Sequence, residues 1–128
     1  MSITITRVWQ DGSDVLSSVE TITETDEGLT KLSIAVDAET SDVEASLAFA
    51  VAQLAGYYLL SDQDVTLETN SGDAADDTIA LKANTAVEWS ADGGHASLFT
   101  VDVTKIFLSN AGATAASVKI RILLDATP

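Results

Sequence analysis

Apolar and polar residues alternate with a period of two through most of this chain, and that period constrains the fold more than any other feature. Residues two apart in a strand point to the same face, so the alternation predicts strands with one buried face. It is clearest over residues 3–9, 31–37, 65–69, 79–81, 87–89 and 118–124. Since no long helical pattern separates these segments, the sequence predicts one all-β domain over residues 1–128. Its expected form is an antiparallel β-sandwich or a jelly-roll-like barrel.

Turn-forming residues lie between the alternating segments. Clusters rich in Asp, Asn, Gly and Ser occupy residues 11–14, 26–28, 70–73, 92–94 and 110–112. Two stretches, 58–67 and 107–120, also share a strand-ending pattern: an apolar strand with an aromatic residue runs into Ser-Asp or Ser-Asn, and an alternating strand follows the turn. Asp and Asn favour tight turns because they bond locally to the backbone. We expect each stretch to form a hairpin-like unit.

Residues 43–60 admit two interpretations. Their alanines suit a helix over 45–55, whereas the apolar residues at odd positions from 43 to 51 suit a strand. The favoured interpretation is a strand to about Val51, a corner over 52–56 and a second strand to Leu60. At most one short helix is then expected near residues 45–55. Tyr57 and Tyr58 would point to opposite faces of the second strand, so we expect one to be buried and the other exposed.

The formal net charge is −14, and this excludes some classes of partner. A chain so acidic does not neutralise phosphates, so we expect no binding to nucleic acid or to an anionic membrane. No segment reaches the roughly 20 apolar residues of a membrane-spanning helix. The N-terminal decapeptide alternates, so it is not expected to be a signal peptide.

The charge is unevenly placed along the sequence. Ten acidic residues and a single base, Lys31, lie between Asp11 and Glu44. Residues 95–128 instead hold two acidic residues and three basic ones: Lys105, Lys119 and Arg121. We therefore expect one end of the domain to be strongly negative and the other nearly neutral. The favoured interpretation is a solvated face. The alternative is an acidic face that meets solvent and a neutral face that meets a partner, and a high-salt habitat would also favour this composition.

The acidic loop at 70–77 is a weak candidate for calcium binding. Asp73, Asp76 and Asp77 supply the oxygen ligands that calcium prefers, but their spacing fits no EF-hand. A solvated hairpin loop is the favoured interpretation, so no metal or cofactor is predicted. His95, the single histidine, lies in no recognisable catalytic motif, and the chain contains no cysteine. We predict no catalytic residues and no enzymatic activity.

Two tryptophans end alternating strands. The favoured interpretation places Trp9 and Trp89 in packing positions, and the alternative makes one of them an interface anchor, because tryptophan is enriched at interfaces. The strand at residues 2–10 is positioned to pair with the sheet edge of a neighbouring subunit. The interface candidates are Trp9, Tyr58, Lys105, Lys119 and Arg121.

The last two thirds of the chain resemble a known class of proteins. The segments that carry the resemblance are 61–70, 76–83, 87–90, Phe99, 102–110 and 115–123. Together they resemble small β-rich virion structural proteins of tailed bacteriophages, of the decoration or accessory type. The resemblance implies a non-enzymatic component of the virion that decorates or cements the capsid. Its partners would be the major capsid protein or other virion proteins.

The same reading implies a symmetric homo-oligomer, with a trimer suited to threefold points of a shell and a ring as the alternative. Two other functions remain open from the sequence. One is a tail, neck or baseplate component of the same particle. The other is a calcium- or carbohydrate-binding β-sandwich module.

Overall fold

The computed structural model describes residues 2–23 and 27–125, and these residues are almost entirely strand and turn. The strands are β1 (Ser2–Asp11), β2 (Asp14–Thr23), β3 (Glu27–Val36), β4 (Thr40–Ala45), β5 (Leu54–Ser61), β6 (Val65–Thr69), β7 (Thr78–Leu81), β8 (Val87–Ser90), β9 (Ile106–Asn110) and β10 (Ala116–Asp125). A single 3₁₀ turn, Val51–Gln53, precedes β5. The predicted all-β fold is confirmed. Within the described ranges, no helix is long and apolar enough to cross a membrane.

Eight of the strands form two four-stranded antiparallel sheets. Sheet 1 has the order β3-β10-β5-β8, and sheet 2 has the order β4-β9-β6-β7. From β3 to β10 the chain passes repeatedly from one sheet to the other, and only the step from β6 to β7 joins neighbouring strands of one sheet. This strand order is that of a jelly roll. β1 and β2 pair with each other as a separate two-stranded sheet, the hairpin arm.

The core lies between sheets 1 and 2. On β10, Val118, Ile120 and Ile122 are completely buried, while Lys119 between them is exposed, as the period of two requires. Three aromatic rings pack together in this core: Phe99 meets Phe49 and Tyr57 edge-on, with centroid separations of 5.3 and 5.0 Å. One apolar cluster therefore spans both sheets.

The two adjacent tyrosines lie on opposite faces of β5, as the sequence predicts. Tyr57 is 5% exposed and Tyr58 is 43% exposed. The Tyr57 ring stacks on Trp89 at 5.6 Å, and its hydroxyl accepts a hydrogen bond from the Leu98 amide at 3.0 Å. Tyr58 stands on the outer face of sheet 1, away from the core.

The prediction that residues 58–67 and 107–120 form hairpin-like units is wrong. β5 belongs to sheet 1 and β6 to sheet 2, while β9 belongs to sheet 2 and β10 to sheet 1. Each turn is thus an arch that carries the chain across the core from one sheet to the other. The two arches lie side by side: the Ser117 amide donates to the Asp62 carboxylate at 2.7 Å, and Ser117 accepts the Asp62 amide at 3.3 Å.

Buried polar side chains hold both arches in shape. Asn110 is completely buried, and its amide group donates to the carbonyls of Val36 and Thr114 and accepts from the Gly112 amide. Ser61, also completely buried, donates to the Gln63 carbonyl at 2.6 Å. Buried polar groups need hydrogen-bond partners, and Asn110 and Ser61 find theirs within or next to the arches. The Ser-Asp and Ser-Asn pairs therefore mark arches between the two sheets rather than hairpin turns.

The expected strand through Val51 is also shorter than predicted. β4 ends at Ala45, and Phe49 then makes one isolated bridge to Val103. The corner runs from residue 46 to the 3₁₀ turn, and β5 already begins at Leu54, so Gly56 lies inside the strand. The alternative helix over 45–55 does not form. Of the predicted turn at 26–28, residue 26 lies outside the described residues, and Glu27 and Gly28 begin β3.

The acidic and near-neutral segments of the sequence do not form separate ends of the molecule. β3 of the acidic segment pairs along its length with β10, and β4 pairs with β9. The expected division of the domain into a strongly negative end and a nearly neutral end is therefore wrong. Sheet pairing brings distant segments together, and linear charge counts cannot show that.

Candidate interaction site

The hairpin arm is built from two ten-residue strands joined by the tight loop Gly12-Ser13. Gly12 has a φ of 59°, a left-handed conformation that glycine adopts without steric cost. This confirms the turn predicted at residues 11–14. Facing residues of the two strands share a side of the ribbon, so Trp9 and Leu16 lie together on one side.

The outer part of the arm, residues 8–19, is the hairpin tip, and it exposes large apolar side chains. Trp9 is 71% exposed and Leu16 is 70% exposed. The opposite side of the ribbon shows the same character, with Val8, Val15 and Val19 between 54% and 66% exposed. Burying one such side chain is worth roughly 1.5–3 kcal/mol, so a surface that covered the tip would gain a large hydrophobic free energy. This concentration of exposed apolar side chains makes the hairpin tip a candidate interaction site.

The base of the arm is fixed to sheet 1. Ile3 and Ile5 pack with Leu29, Ala55 and Leu123 in a small apolar cluster. This cluster lies on the face of sheet 1 that is turned away from the main core. It explains why Leu123 is only 3% exposed although its neighbours on that face point to solvent.

An ion pair reinforces this attachment. The guanidinium of Arg7 on β1 donates to both carboxylate oxygens of Glu88 on β8, at 2.7 and 2.8 Å. The pair is partly buried, with the two side chains 38% and 21% exposed. Because the guanidinium and the carboxylate are both planar, two parallel hydrogen bonds fix the orientation of Arg7 relative to Glu88 as well as their separation. The arm is therefore held at its base, and residues 8–19 at its tip are exposed.

A groove of about 490 Å³ runs between β1 and the outer face of sheet 1. Its floor contains Tyr58, which lies directly opposite Arg121 on β10 and Glu88 on β8. Arg121 in turn lies opposite Lys31 on β3. The residues that line the groove are Ile3, Thr4, Ile5, Thr6, Arg7, Leu29, Lys31, Gly56, Tyr57, Tyr58, Ala86, Glu88, Trp89, Arg121 and Leu123.

Basic residues gather around this groove. Of the six Lys and Arg residues in the chain, Arg7, Lys31 and Arg121 line it, and Lys119 lies on the same face of β10 two residues from Arg121. Glu88 lines the groove as well, so the described lining carries three basic residues against this one carboxylate, on a strongly acidic protein. Such a region attracts acidic groups.

The five predicted interface residues are not all brought together. Tyr58, Lys119 and Arg121 share the outer face of sheet 1, whereas Trp9 lies on the hairpin tip. Lys105 lies at sheet 2, where its ammonium is 3.5 Å from Glu44 and 5.7 Å from the centre of the Phe107 ring. One partner surface therefore does not join Lys105 to Lys119 and Arg121.

The favoured packing role is wrong for Trp9 and right for Trp89. Trp89 packs against the core and donates its indole N–H to the His95 carbonyl at 2.7 Å. The sequence reasoning also missed β2 and its exposed residues Val15, Leu16 and Val19. The available signal was a short run of β-branched and apolar residues directly after a hairpin turn.

Two of the three predicted calcium candidates, Asp76 and Asp77, accept structural hydrogen bonds, whereas Asp73 donates its backbone amide to the Ser71 hydroxyl at 3.2 Å. Asp77 accepts from the Thr100 amide and hydroxyl at 2.8 and 2.7 Å, and from the Val101 amide at 3.3 Å. Asp76 accepts from the Asn70 side chain at 2.6 Å. In the part of the chain that the structure describes, no three acidic or histidine side chains converge to hold a metal. Through Asp77, the loop holds residues 100–101 against the β6–β7 hairpin by hydrogen bonds.

Asp64, in the β5–β6 arch, has a pKa below its usual range. The main cause is the hydrogen bond that its carboxylate accepts from the Ala83 amide at 2.9 Å, and the charge of Lys82 adds to it. The Lys82 ammonium lies 3.6 Å away. This carboxylate therefore ties the loop after β7 to the arch.

Comparison with known proteins gives little further information. No protein-family model and no curated protein sequence matches the chain. A solved structure of Bacillus endospore appendages, described as disulfide-linked pili, is similar over 80% of this chain and 91% of its own. The sequence identity is 12% and the TM-score is 0.36. A TM-score this low does not establish a common fold.

Proposed function

We propose that this protein is a non-enzymatic structural component of a tailed bacteriophage particle that decorates or cements the capsid. The observation that carries a structural role is the hairpin arm, which is anchored at its base by Arg7 and Glu88 and exposes Trp9 and Leu16 at its tip. An anchored arm with an apolar tip is suited to docking on a neighbouring protein.

The assignment to a bacteriophage particle rests on the resemblance of the last two thirds of the chain to small virion structural proteins. The jelly roll is compatible with this assignment because viral capsid domains use it. Lectins use the same fold, so the fold alone does not decide the function. In the proposed role, the sandwich is a rigid body and the arm makes the contact with a neighbour.

The position of the protein on purified particles tests this proposal. An antibody raised against the protein would be applied to intact virions from cells that carry its gene, and gold labelling would be viewed by electron microscopy. Labelling over the capsid, at regular positions, is the expected result. Labelling confined to the neck, tail or baseplate would move the assignment to the alternative virion role. Virions free of the label, and of the protein by mass spectrometry, would overturn the proposal.

A further inference from the structure

We propose that the hairpin tip of one copy docks into the groove of a second copy of this chain, so that Trp9 and Leu16 cover Tyr58. This inference rests on the proposed structural role and names the neighbour that the arm meets. It also places the acidic loop of the tip, with Asp11 and Asp14, beside Lys31 and Arg121.

The first argument is continuity of one ribbon face. Ile3, Ile5 and Arg7 lie on one side of β1 and contact the outer face of sheet 1. Trp9 continues that side, and Leu16 faces it across the ribbon. The tip thus presents the same kind of surface that the base has already packed on sheet 1. The difference is that Ile3 and Ile5 contact sheet 1 of their own chain, whereas Trp9 and Leu16 are exposed.

The second argument is the character of the groove. Tyr58, 43% exposed, offers an aromatic ring to the groove, and Leu29 and Leu123 contribute apolar surface to its lining. Tyrosine and tryptophan are the residues that most often anchor protein interfaces. A volume of about 490 Å³ accommodates large side chains rather than a single water or ion.

The third argument is charge. Lys31 and Arg121 lie directly opposite each other on β3 and β10, and like charges in that position repel. Asp11 and Asp14 flank the Gly12-Ser13 loop at the end of the arm, close in sequence to Trp9 and Leu16. A docked tip would bring two carboxylates to a surface with two adjacent positive charges. On a chain with a net charge of −14, few surfaces are basic enough to receive that tip.

The tip of one copy meets a different surface, the groove, on the next. Two copies that exchange tips reciprocally form a closed dimer, whereas one-way contacts close into rings or extend as filaments. Each of these assemblies leaves sheet 2 of every copy available for other contacts in the particle.

Disulfide trapping tests the contact directly, because the natural chain has no cysteine. Leu16→Cys and Tyr58→Cys would be prepared as separate full-length proteins, mixed and oxidised under mild conditions. Both positions are exposed, so neither change disturbs the core. The matched control replaces Tyr58→Cys with Lys105→Cys, an exposed position at sheet 2.

The expected result is a covalent pair between Leu16→Cys and Tyr58→Cys that forms at least about tenfold faster than the control pair, because docking raises the effective concentration of the two thiols. Adding Trp9→Ser to the Leu16→Cys protein should remove that advantage. Equal rates for the two pairs would overturn the inference. If the protein were nevertheless found on virions, the proposed function would stand and a shell protein would occupy the tip.

Discussion

Trp9 and Leu16 lie directly opposite each other across the β1–β2 ribbon, and both are about 70% exposed. Two residues back along β1, Arg7 on the same side of the ribbon is held by Glu88 of sheet 1. On one face of β1, the side chain of Arg7 is therefore bound to sheet 1, whereas that of Trp9, two residues further along, is exposed. An isolated two-stranded hairpin is marginally stable in water, so a surface that covers this tip would stabilise it.

Charge exchange should weaken and then restore association. Replacing Lys31→Glu puts a negative charge where the acidic tip docks, and we expect self-association to weaken by about tenfold, the effect of a 1.4 kcal/mol loss. Adding Asp14→Lys to the same chain restores an opposite pair and should recover most of the affinity. Sedimentation equilibrium measures both changes. The control Lys105→Glu should leave association unchanged, and an equal loss in that control would contradict the proposed groove.

The Arg7–Glu88 ion pair should control the mobility of the arm. Glu88→Gln removes the charge that holds the guanidinium, at an expected cost of about 1 kcal/mol for a partly exposed pair. Hydrogen exchange of the β1 amides should become faster while that of β10 stays slow, because the core does not contain the pair. Glu68→Gln, on β6 of sheet 2, is the matched control. Unchanged protection of β1 in Glu88→Gln would contradict a role of the Arg7–Glu88 pair in holding the arm.

The buried amide of Asn110 should be important for stability. Asn110→Ala removes the three hydrogen bonds that this buried side chain makes to Val36, Gly112 and Thr114, and a buried group left unsatisfied costs about 1–3 kcal/mol. Urea unfolding measures the loss. Thr114→Ala, at an exposed side chain of the same arch, should change the free energy of unfolding by less than about 0.5 kcal/mol. Similar losses for the two variants would contradict the role assigned to Asn110.

The acidic loop should act as a structural tie that is independent of calcium. Asp77→Asn weakens the hydrogen bonds to Thr100 and Val101, and we expect a loss of roughly 1 kcal/mol, since the site is exposed. Asp73→Asn is the control in the same loop. Thermal unfolding of the natural protein should be the same in calcium and in chelator. A melting temperature that rises with calcium, and does so less in Asp77→Asn, would instead establish a calcium site.

Local sequence signals predicted the strands of the sandwich but not how they join. The alternation over 118–124 correctly places Val118, Ile120 and Ile122 inside, because the period of two follows from backbone geometry alone. The Ser-Asp and Ser-Asn pairs correctly mark chain reversals. Whether such a reversal makes a hairpin or an arch depends on pairing with β3, β8 or β10, which lie far away in sequence, and no local pattern encodes that pairing.

The candidate site was only partly predictable for a related reason. The pattern around Trp9 is the same as that of a core strand, and the exposure of Trp9 follows from the absence of a covering sheet in its own chain. Lys105 and Arg121 are close in sequence yet lie on different sheets, because the β9–β10 arch separates them. Tyr58 was predictable, since adjacent residues in a strand must face opposite ways.

The solution mass of the protein tests the central claim, that the hairpin tip docks on a second copy, most directly. Light scattering would be measured from micromolar to millimolar protein for the natural chain and for the double variant Trp9→Ser, Leu16→Ser. We predict a defined multiple of the 13.3 kDa chain mass for the natural protein and a 13.3 kDa monomer with the same core stability for the variant. A natural chain that stays at 13.3 kDa over the whole range would contradict the account.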